Sequence, residues 1–474
     1  MIVTRVLDPE PVASLDDYVS AGGGSALDVS LRWTRDETIE ELDASGLRGR
    51  GGAGFPTGKK WRTVTEHESG EVPTTVVVNA AEGEPGSFKD RALIRANPYR
   101  VLEGALVAAH AFGATDLVVA LKASFTEEIK RLRAAVEEIE AAGWCGEVAV
   151  EVFEGPQAYL YGEETGLLEA LDGRQPFPRI APPWRQGVVE VEITSESSGE
   201  PSGIAMATET RESPVPPALV NNVETFAHVA QIMAHGADWF RETGTEDTPG
   251  TVVCTVTGST KRHGVAEFEA GTTLEKVIDT LGGGPIEGRT FTAVLSGVSN
   301  PLLLAEHFDT PLTHADMQKV GSGLGATGFI VFDDRDDLVE VVQEASRFLA
   351  VESCGQCRPC KGDGLAIADL LQTVQAREAA EPEWSLLDQL RDTVVTGARC
   401  YLATQQQQIT LDVEVLSAIP RPDDPRPVLI APIVDIREEQ AVLDETQVDK
   451  NPDWTHGGSD SGQPPVERLA DTGV

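Results

Sequence analysis

The chain has few cysteines and no long apolar run. Its 474 residues include 6 Cys, too few for a fold held together by disulfides. No apolar segment approaches the roughly 20 residues needed to cross a bilayer. The first residues carry Asp and Glu where a secretion signal would have an apolar core. We therefore expect a cytoplasmic protein.

Positive charge is also scarce. Lys and Arg total 38 against 77 Asp and Glu, which gives a formal net charge of −39. A surface of this sign repels phosphate backbones and anionic lipids, so no general nucleic-acid binder is expected. Acid excess with only 10 Lys is typical of salt-adapted (halophilic) cytoplasmic proteins. A soluble, self-repelling surface without that adaptation is the alternative.

Alternating strand and helix patterns predict a parallel α/β fold. Strands are predicted within 74–88, 116–122 and 147–155. Helices are predicted at 37–47, 91–114 with a break at Pro98, 125–143, 163–173 and 220–244. Between the last two helices, residues 196–217 are polar and irregular, as in a surface insertion.

Length and pattern changes predict several domains. Residues 1–35 form a partly ordered leader, and 36–246 form the α/β domain. A strand–turn–strand–helix–strand pattern over 251–297 indicates a small β-grasp-like domain at 247–332, followed by a helical region at 333–418. Residues 419–474 are an acidic, Pro-rich tail, and its last 25 or so residues have the composition of disordered chain.

Three cysteines lie within seven residues. Cys354, Cys357 and Cys360 have C-x2-C-x2-C spacing, and Cys400 follows after 39 intervening residues. Three thiolates on one tight turn with a distant fourth suit a [4Fe–4S] cluster. Zinc is the competing interpretation, although structural zinc sites normally use two C-x2-C pairs. Unligated thiols are the third possibility.

A glycine-rich loop follows the first predicted helix. GLRGRGGAGFPTGKKW (46–61) lets backbone approach a ligand closely, and its Arg and Lys residues stand out in an acidic chain. A phosphate-bearing cofactor held by backbone N–H groups is one interpretation, and a flexible turn is the other. The spacing matches neither a Rossmann nor a Walker A loop.

Two acidic segments follow predicted strands. NAAEGEPGSFKDR (79–91) ends the first strand, where open α/β sheets bind ligands. YGEETGLLEALDG (161–173) brings adjacent acids to a helix start. Solvated charges and favourable helix-terminal electrostatics are the simpler explanations of these acids.

Together with VNNVETFAHV (220–229) and ESCGQCRPCKG (352–362), these segments occur in the order found in one family. The chain resembles the 51 kDa NADH-oxidising flavoprotein subunit of respiratory complex I, and the related flavin subunits of NAD-dependent hydrogenases and formate dehydrogenases. The resemblance spans about residues 37–400. It implies an α/β flavin-binding domain, a small β-grasp (SLBB-like) domain and a C-terminal helical bundle with an iron–sulfur cluster.

The resemblance also implies residue roles. The FMN cradle would be Gly49, Arg50, Gly51, Gly52 and Gly54 with Lys60, and the flavin would be lined by Asn79, Glu82, Gly162, Glu163, Glu164, Asn221 and Asn222. Phe55 would face the adenine of NADH, and Glu84 would hold its nicotinamide. Trp184 has an aromatic side chain at a position where the family also has one. Cys354, Cys357, Cys360 and Cys400 would bind the [4Fe–4S] cluster.

The implied activity is electron transfer from NADH through FMN to the cluster, with no catalytic acid–base residue. The implied partners are a [2Fe–2S] thioredoxin-like subunit and a larger iron–sulfur subunit, with any membrane contact, at its inner face, made through such partners.

Three positions depart from the family pattern. Ala81 replaces an Asp, Thr63 replaces an aromatic of the adenine clamp, and Ala181 replaces a dinucleotide-contacting Lys. These changes leave open an alternative function: an electron-relay subunit with weak or no NADH oxidation. A zinc-stabilised scaffold without redox function would require the flavin motifs to be accidental.

Overall fold

The structure, a computed structural model, describes residues 2–68, 72–185, 187–188, 217–444 and 446. Except for Pro217, the irregular stretch expected at 196–217 lies outside the described residues, as do the last 25 residues of the tail.

The described strands are β1 Ile2–Val3, β2 Thr75–Ala80, β3 Asp116–Lys122, β4 Ala149–Gly155, β5 Ala218–Asn222, β6 Thr251–Gly258, β7 Gly264–Glu269, β8 Phe291–Ser296, β9 Leu303–Leu304, β10 Gly328–Asp333, β11 Ile433–Arg437 and β12 Gln440–Leu443. The described α-helices are α1 Leu15–Ser20, α2 Ser25–Ser30, α3 Arg35–Ser45, α4 Thr57–Thr65, α5 Lys89–Ala96, α6 Pro98–Phe112, α7 Thr126–Ala141, α8 Glu164–Leu171, α9 Val223–His235, α10 Ala237–Arg241, α11 Leu274–Gly282, α12 His314–Lys319, α13 Leu338–Glu352, α14 Arg358–Gln375, α15 Glu381–Thr393, α16 Leu402–Ile409 and α17 Val413–Ser417.

A four-stranded parallel sheet forms the centre of the first domain, in the order β4-β3-β2-β5. The helix break predicted at Pro98 is confirmed: the Asn97 side chain accepts a hydrogen bond from the backbone of Arg100, and Pro98 begins α6. Gly113 then ends α6 in the left-handed conformation. The parallel register brings the carboxyl ends of β2 and β5 together, with Asn79 beside Asn222.

The helix predicted over 220–244 is wrong at its start. Residues Ala218–Asn222 form strand β5, because they pair in parallel with β2 along the sheet. Asn222 then caps α9, and its side chain accepts a hydrogen bond from the Glu224 N–H. Gly236 ends α9 at a φ of 94°, and α10 continues the chain.

The second sheet is six-stranded and mixed, in the order β1-β7-β6-β10-β8-β9. The strand–turn–strand–helix–strand order expected over 251–297 is confirmed by β6, β7, α11 and β8. Strand β1, from the segment expected to be a leader, pairs with β7. That segment is also tied to α6, since Glu103 accepts hydrogen bonds from the Ala26 N–H at 2.8 Å and the Tyr18 hydroxyl at 2.6 Å.

Helices α13–α17 follow the second sheet, as the helical pattern at 333–418 predicts. The tail contains a feature that the sequence did not indicate, the hairpin β11–β12. The Arg91 guanidinium of α5 holds this hairpin by donating to the backbone carbonyls of Ile433 and Val434. Within the described residues, no helix combines the length and apolar character that a bilayer span requires.

Candidate functional site

The four cysteines singled out by spacing line one cavity. Cys354 follows α13, Cys360 lies in the first turn of α14, and Cys400 lies two residues before the start of α16. Gly355 turns the chain between the first two thiols at a φ of 81°, a conformation that favours glycine. The tertiary fold thus brings the distant Cys400 to the C-x2-C-x2-C turn.

Burial raises the pKa of three of these thiols, Cys354, Cys360 and Cys400, that of Cys400 to about 12. The neighbouring thiols act in the same direction on Cys360. Metal coordination would be needed to hold such thiols as thiolates. Among the described residues, no three or more His, Cys, Asp or Glu side chains form a candidate site for a metal ion. What the four thiols share is the lining of one cavity, and four cysteine thiolates are the ligand set of a [4Fe–4S] cluster.

The glycine-rich loop is a closed turn between α3 and α4. Arg48 and Pro56 pair as an antiparallel bridge, and the Gly49 N–H donates to the Phe55 carbonyl at 2.8 Å. Gly54 has a φ of 61°, and a Cβ there would lie 2.2 Å from the His314 ring. The tip therefore requires glycine both for its backbone conformation and for its close packing.

The loop lies against the end of strand β5. A Cβ on Gly51 would meet the Cβ of Asn222 at 3.4 Å. The Arg50 side chain is buried, and it donates to the carbonyls of Thr251 and Arg48. The Arg50 guanidinium therefore donates its hydrogen bonds to groups within the protein. By contrast, Phe55 at the end of the loop is exposed over 45% of its surface.

Asparagines lie at the carboxyl ends of β2 and β5. Asn79 donates its amide to the Gly162 carbonyl at 2.8 Å. The Asn221 amide is satisfied when its nitrogen donates to the Val220 carbonyl at 3.0 Å and its oxygen accepts from the Trp61 indole N–H at 2.9 Å. These contacts bring the predicted segments around 79, 162 and 221–222 to one edge of the sheet.

Two of the predicted glutamates are held by local contacts. Glu82 pairs with Arg91 and accepts a hydrogen bond from the Ser87 hydroxyl at 2.7 Å. Glu163 caps α8 by accepting from the backbone N–H groups of Thr165 and Gly166. Burial raises the pKa of the Glu163 carboxyl.

The other two glutamates connect separate elements. Glu164 at the start of α8 forms an ion pair with Lys60 of α4. Glu84 accepts from the Tyr159 hydroxyl at 2.6 Å and from the Val298 N–H at 2.7 Å. Burial raises the pKa of Glu84, although both of these hydrogen bonds act to lower it.

Two of the three positions that depart from the family pattern carry only a methyl side chain, and the third makes a hydrogen bond within its own helix. Thr63 donates its hydroxyl to the Lys59 carbonyl at 3.0 Å within α4. Ala81 is buried, and Ala181 is half-buried. Trp184 is partly buried and packs against the hydrophobic core of the first domain.

Two residues of this region were missed by sequence reasoning. Tyr159 contacts Glu84, and Lys89 lies beside Asn222. Lys89 is part of the quoted 79–91 segment, and a Lys between apolar and acidic neighbours is the only signal that it carries. Tyr159 has no local signal, because its partners are distant in sequence.

Comparison with known protein families matches two parts of the chain, one containing the glycine-rich loop and one containing the four cysteines. Residues 42–231 match the Nuo51 FMN-binding domain, and residues 340–413 match the NADH-ubiquinone oxidoreductase-F iron–sulfur binding region. The F subunit of the NADH-quinone oxidoreductase of Aquifex aeolicus is 33% identical over 85% of this chain and 89% of its own length. The chain belongs to this family. It thus has an FMN-binding domain and a [4Fe–4S]-binding region, and it is a subunit of the oxidoreductase class that uses NADH.

Other family members extend the comparison. The corresponding F subunit of the NADH-quinone oxidoreductase of Streptomyces coelicolor is 34% identical over 85% of this chain and 86% of its own length. The HndC subunit of the NADP-reducing hydrogenase of Solidesulfovibrio fructosivorans is 31% identical over 84% of this chain and 77% of its own length. A crystal structure of an NAD+-reducing [NiFe]-hydrogenase in the H2-reduced state superposes with a TM-score of 0.72 at 30% identity, covering 90% of this chain and 69% of the hydrogenase chain. The mixed α/β fold of the family is therefore present.

Proposed function

We propose that this chain is the NADH-oxidising flavoprotein subunit of a multi-subunit oxidoreductase, and that it passes electrons from NADH to partner iron–sulfur subunits. Bound FMN would supply the chemistry of accepting a hydride and passing on its two electrons singly to an iron–sulfur cluster. The protein's task is to orient the two ring systems and to keep the cluster close by. No side chain has to act as a catalytic acid or base.

The chain's own residues would hold the flavin at the edge of the parallel sheet. The N–H groups of Gly49 and Arg50 donate within the protein, so the backbone N–H groups of Gly51 and Gly52 at the loop tip would be the ones to hold the cofactor. The ammonium of Lys60 lies nearby, paired with Glu164. Asn79, Asn221 and Asn222 stand at the ends of β2 and β5, where contacts within the protein hold their amides in place and so shape this edge for a planar polar ring. Glu82, Gly162 and Glu163 complete this edge. The buried guanidinium of Arg50 supports the loop from within.

The dinucleotide would lie against Phe55 and Glu84. Phe55 presents an exposed ring for stacking on adenine. Glu84 is held in one orientation by two hydrogen bonds, so its carboxylate can receive the nicotinamide amide. Trp184 adds a second aromatic side chain on this domain.

One observation carries the proposal: Tyr159 joins the flavin region to the cluster region. Its hydroxyl donates to Glu84 and accepts from the Gln405 side chain of α16 at 3.2 Å. Its backbone N–H donates to Glu352, two residues before Cys354. Because α16 begins directly after the Cys400–Tyr401 pair, the Tyr159 side chain links the proposed nicotinamide contact, Glu84, to the helix that follows Cys400.

The finer architecture is part of the same proposal. We assign an α/β flavin domain at 36–246, a β-grasp (SLBB-like) domain at 247–332 built on β6–β10, and a helical [4Fe–4S] bundle at 333–418. The partners would be a [2Fe–2S] thioredoxin-like subunit and a larger iron–sulfur subunit, because a single cluster cannot carry electrons far. Membrane contact would be made through these partners on the cytoplasmic side.

A relay subunit with weak NADH oxidation is the second candidate. It is favoured by the absence of a ring at Thr63 and of a cation at Ala181, two contacts that the family pattern would give the dinucleotide. The deciding test is the FMN and iron content of anaerobically purified protein, with visible spectra before and after NADH. We expect one FMN and about four irons per chain, and flavin bleaching by NADH. Bound FMN that NADH does not bleach would favour the relay, and absence of FMN would overturn both candidates.

A further inference from the structure

Lys89 is a fully buried cation that the proposed function has not used. Its side chain is 1% exposed at the start of α5. Its ammonium donates to the Arg50 carbonyl at 2.8 Å and to Asn222 Oδ1 at 3.4 Å. It also pairs with Glu224 Oε2 at 2.5 Å and with Asp90 Oδ1 at 3.3 Å. One side chain therefore joins the glycine-rich loop, the end of strand β5 and the first turn of α9.

Burying an ammonium group is costly unless it is paired and its donors are used. The carboxylates of Asp90 and Glu224 offset the desolvation, and they raise the pKa of Lys89 although burial acts to lower it. An apolar side chain could fill the same volume without this cost. The distinctive property of Lys here is its three N–H donors on a compact head.

Those donors fix the backbone just before the loop tip. The Arg50 N–H donates to the Thr225 hydroxyl at 2.9 Å, while its carbonyl accepts from Lys89. Both backbone polar groups of this residue are therefore held by buried partners. The next residue, Gly51, packs against the Cβ of Asn222. The separation of loop and strand end thus depends on the ammonium that contacts both.

We propose that Lys89 is a positioning residue for the flavin. It holds the Arg50 carbonyl and the Asn222 side chain in one arrangement, so that the loop tip and the strand end are spaced to receive FMN before it binds. This inference rests on the proposed function, since it assumes that FMN occupies the cradle. Pre-arranged contacts raise affinity, because the cost of ordering them is not met during binding.

The test is FMN affinity in the full chain, measured by titrating FMN-depleted protein and following flavin fluorescence and visible circular dichroism. Lys89→Met removes the donors at similar length. Because it leaves the Glu224 carboxylate without its ammonium partner, the double variant Lys89→Met with Glu224→Gln is measured in parallel. In the double variant one positive and one negative charge are lost together, so the net buried charge is unchanged. Arg50 loses its pairing with Glu224, and Asp90 loses its pairing with Lys89.

The matched control is Arg100→Met. Arg100 is also buried, but it donates to the Val6 carbonyl and pairs with Asp8 near the N-terminus. We expect the double variant to keep a melting temperature near that of the wild type, to bind FMN at least about tenfold more weakly and to show altered flavin dichroism. Arg100→Met should lower the melting temperature and leave FMN affinity unchanged.

The outcomes separate this inference from the proposed function. If wild type and double variant bind FMN equally well, the positioning role is overturned while the proposed function stands. If Arg100→Met weakens FMN binding as much as the double variant does, Lys89 acts through general stability and the inference is also overturned. If the wild type binds no FMN at all, the proposed function fails and this inference fails with it.

Discussion

The hydroxyl of Tyr159 donates a 2.6 Å hydrogen bond to the buried carboxylate of Glu84. The two residues lie 75 positions apart in sequence, one in the loop after β2 and the other in the turn before α8. Burial raises the pKa of Glu84, and this hydrogen bond opposes that effect. Tyr159 therefore lowers the pKa of Glu84 against the effect of burial.

Replacing Tyr159 by Phe should raise the pKa of Glu84 further. A raised folded-state pKa means that the folded protein holds a proton that the unfolded chain has released, so stability falls as pH rises from about 4.3 through the folded pKa. The variant should extend this fall to higher pH and lose about 1.5–3 kcal/mol of stability near pH 7. The loss should be smaller near pH 4, where Glu84 is protonated. Denaturant unfolding across pH 4–8 measures this.

Tyr161→Phe is the control for that experiment. Tyr161 is also buried, but its hydroxyl has no hydrogen-bond partner among the described residues. Its removal should cost little stability at any pH. Equal, pH-independent losses in both variants would show that Tyr159 stabilises the fold without acting on Glu84.

Cys357→Ser should remove the iron–sulfur centre. Serine is a poor substitute for the thiolates that hold such clusters, and the other three cavity thiols cannot complete four-fold ligation. Iron and sulfide should fall from about four of each per chain towards zero. Cys145→Ala, which alters a buried thiol outside the cavity, should leave both unchanged. Stoichiometric zinc with no iron in the wild type would contradict the cluster assignment.

Gly51→Val should abolish FMN binding while the chain still folds. The first added carbon would already touch the Asn222 Cβ at 3.4 Å, and the two branches of Val would project into the space between the loop and the strand end. Gly264→Val is a suitable control, because a Cβ there meets only the Leu281 side chain at 3.6 Å. FMN content and melting temperature should be compared. Full FMN occupancy in Gly51→Val would mean that the loop does not cradle the flavin.

The wild type should require high NADH concentrations. A missing charge-assisted hydrogen bond at Ala181 and a missing ring at Thr63 together weaken binding by about 2–4 kcal/mol, or roughly 30- to 1,000-fold. The double variant Thr63→Phe with Ala181→Lys should lower the apparent NADH constant by at least about tenfold. Flavin bleaching during NADH titration measures it. Bleaching of the wild type by low-micromolar NADH would show that these contacts are replaced elsewhere.

Stability should rise steeply with salt. With a net charge of −39, repulsion between surface carboxylates opposes folding, and added ions screen it. The melting temperature should increase between dilute buffer and molar KCl. A flat response would mean that the acidic composition is not a salt adaptation.

Local patterns predicted much of the secondary structure. Strand β3 covers the predicted 116–122, its apolar run flanked by one charged residue at each end, and α6 begins at Pro98 and ends before Gly113 as those residues dictate. Strand β5 was missed because VNN is too short to show alternation, and only pairing with β2 makes it a strand. The hairpin β11–β12 was missed for a similar reason, since Arg91 and other distant residues hold it in place.

The sequence by itself determined the chemistry: three closely spaced thiols, a glycine-rich loop, amides and acids at strand ends, and an excess of negative charge. These features can be recognised from the sequence because the residues of each motif lie within a few positions of one another. Only the tertiary structure decided which motifs meet. It brings Cys400 to the other thiols, links Glu84 through Tyr159 to α16, and directs Lys89 at both the loop and Asn222. These contacts join segments tens to hundreds of residues apart, and no local preference can encode such a distance.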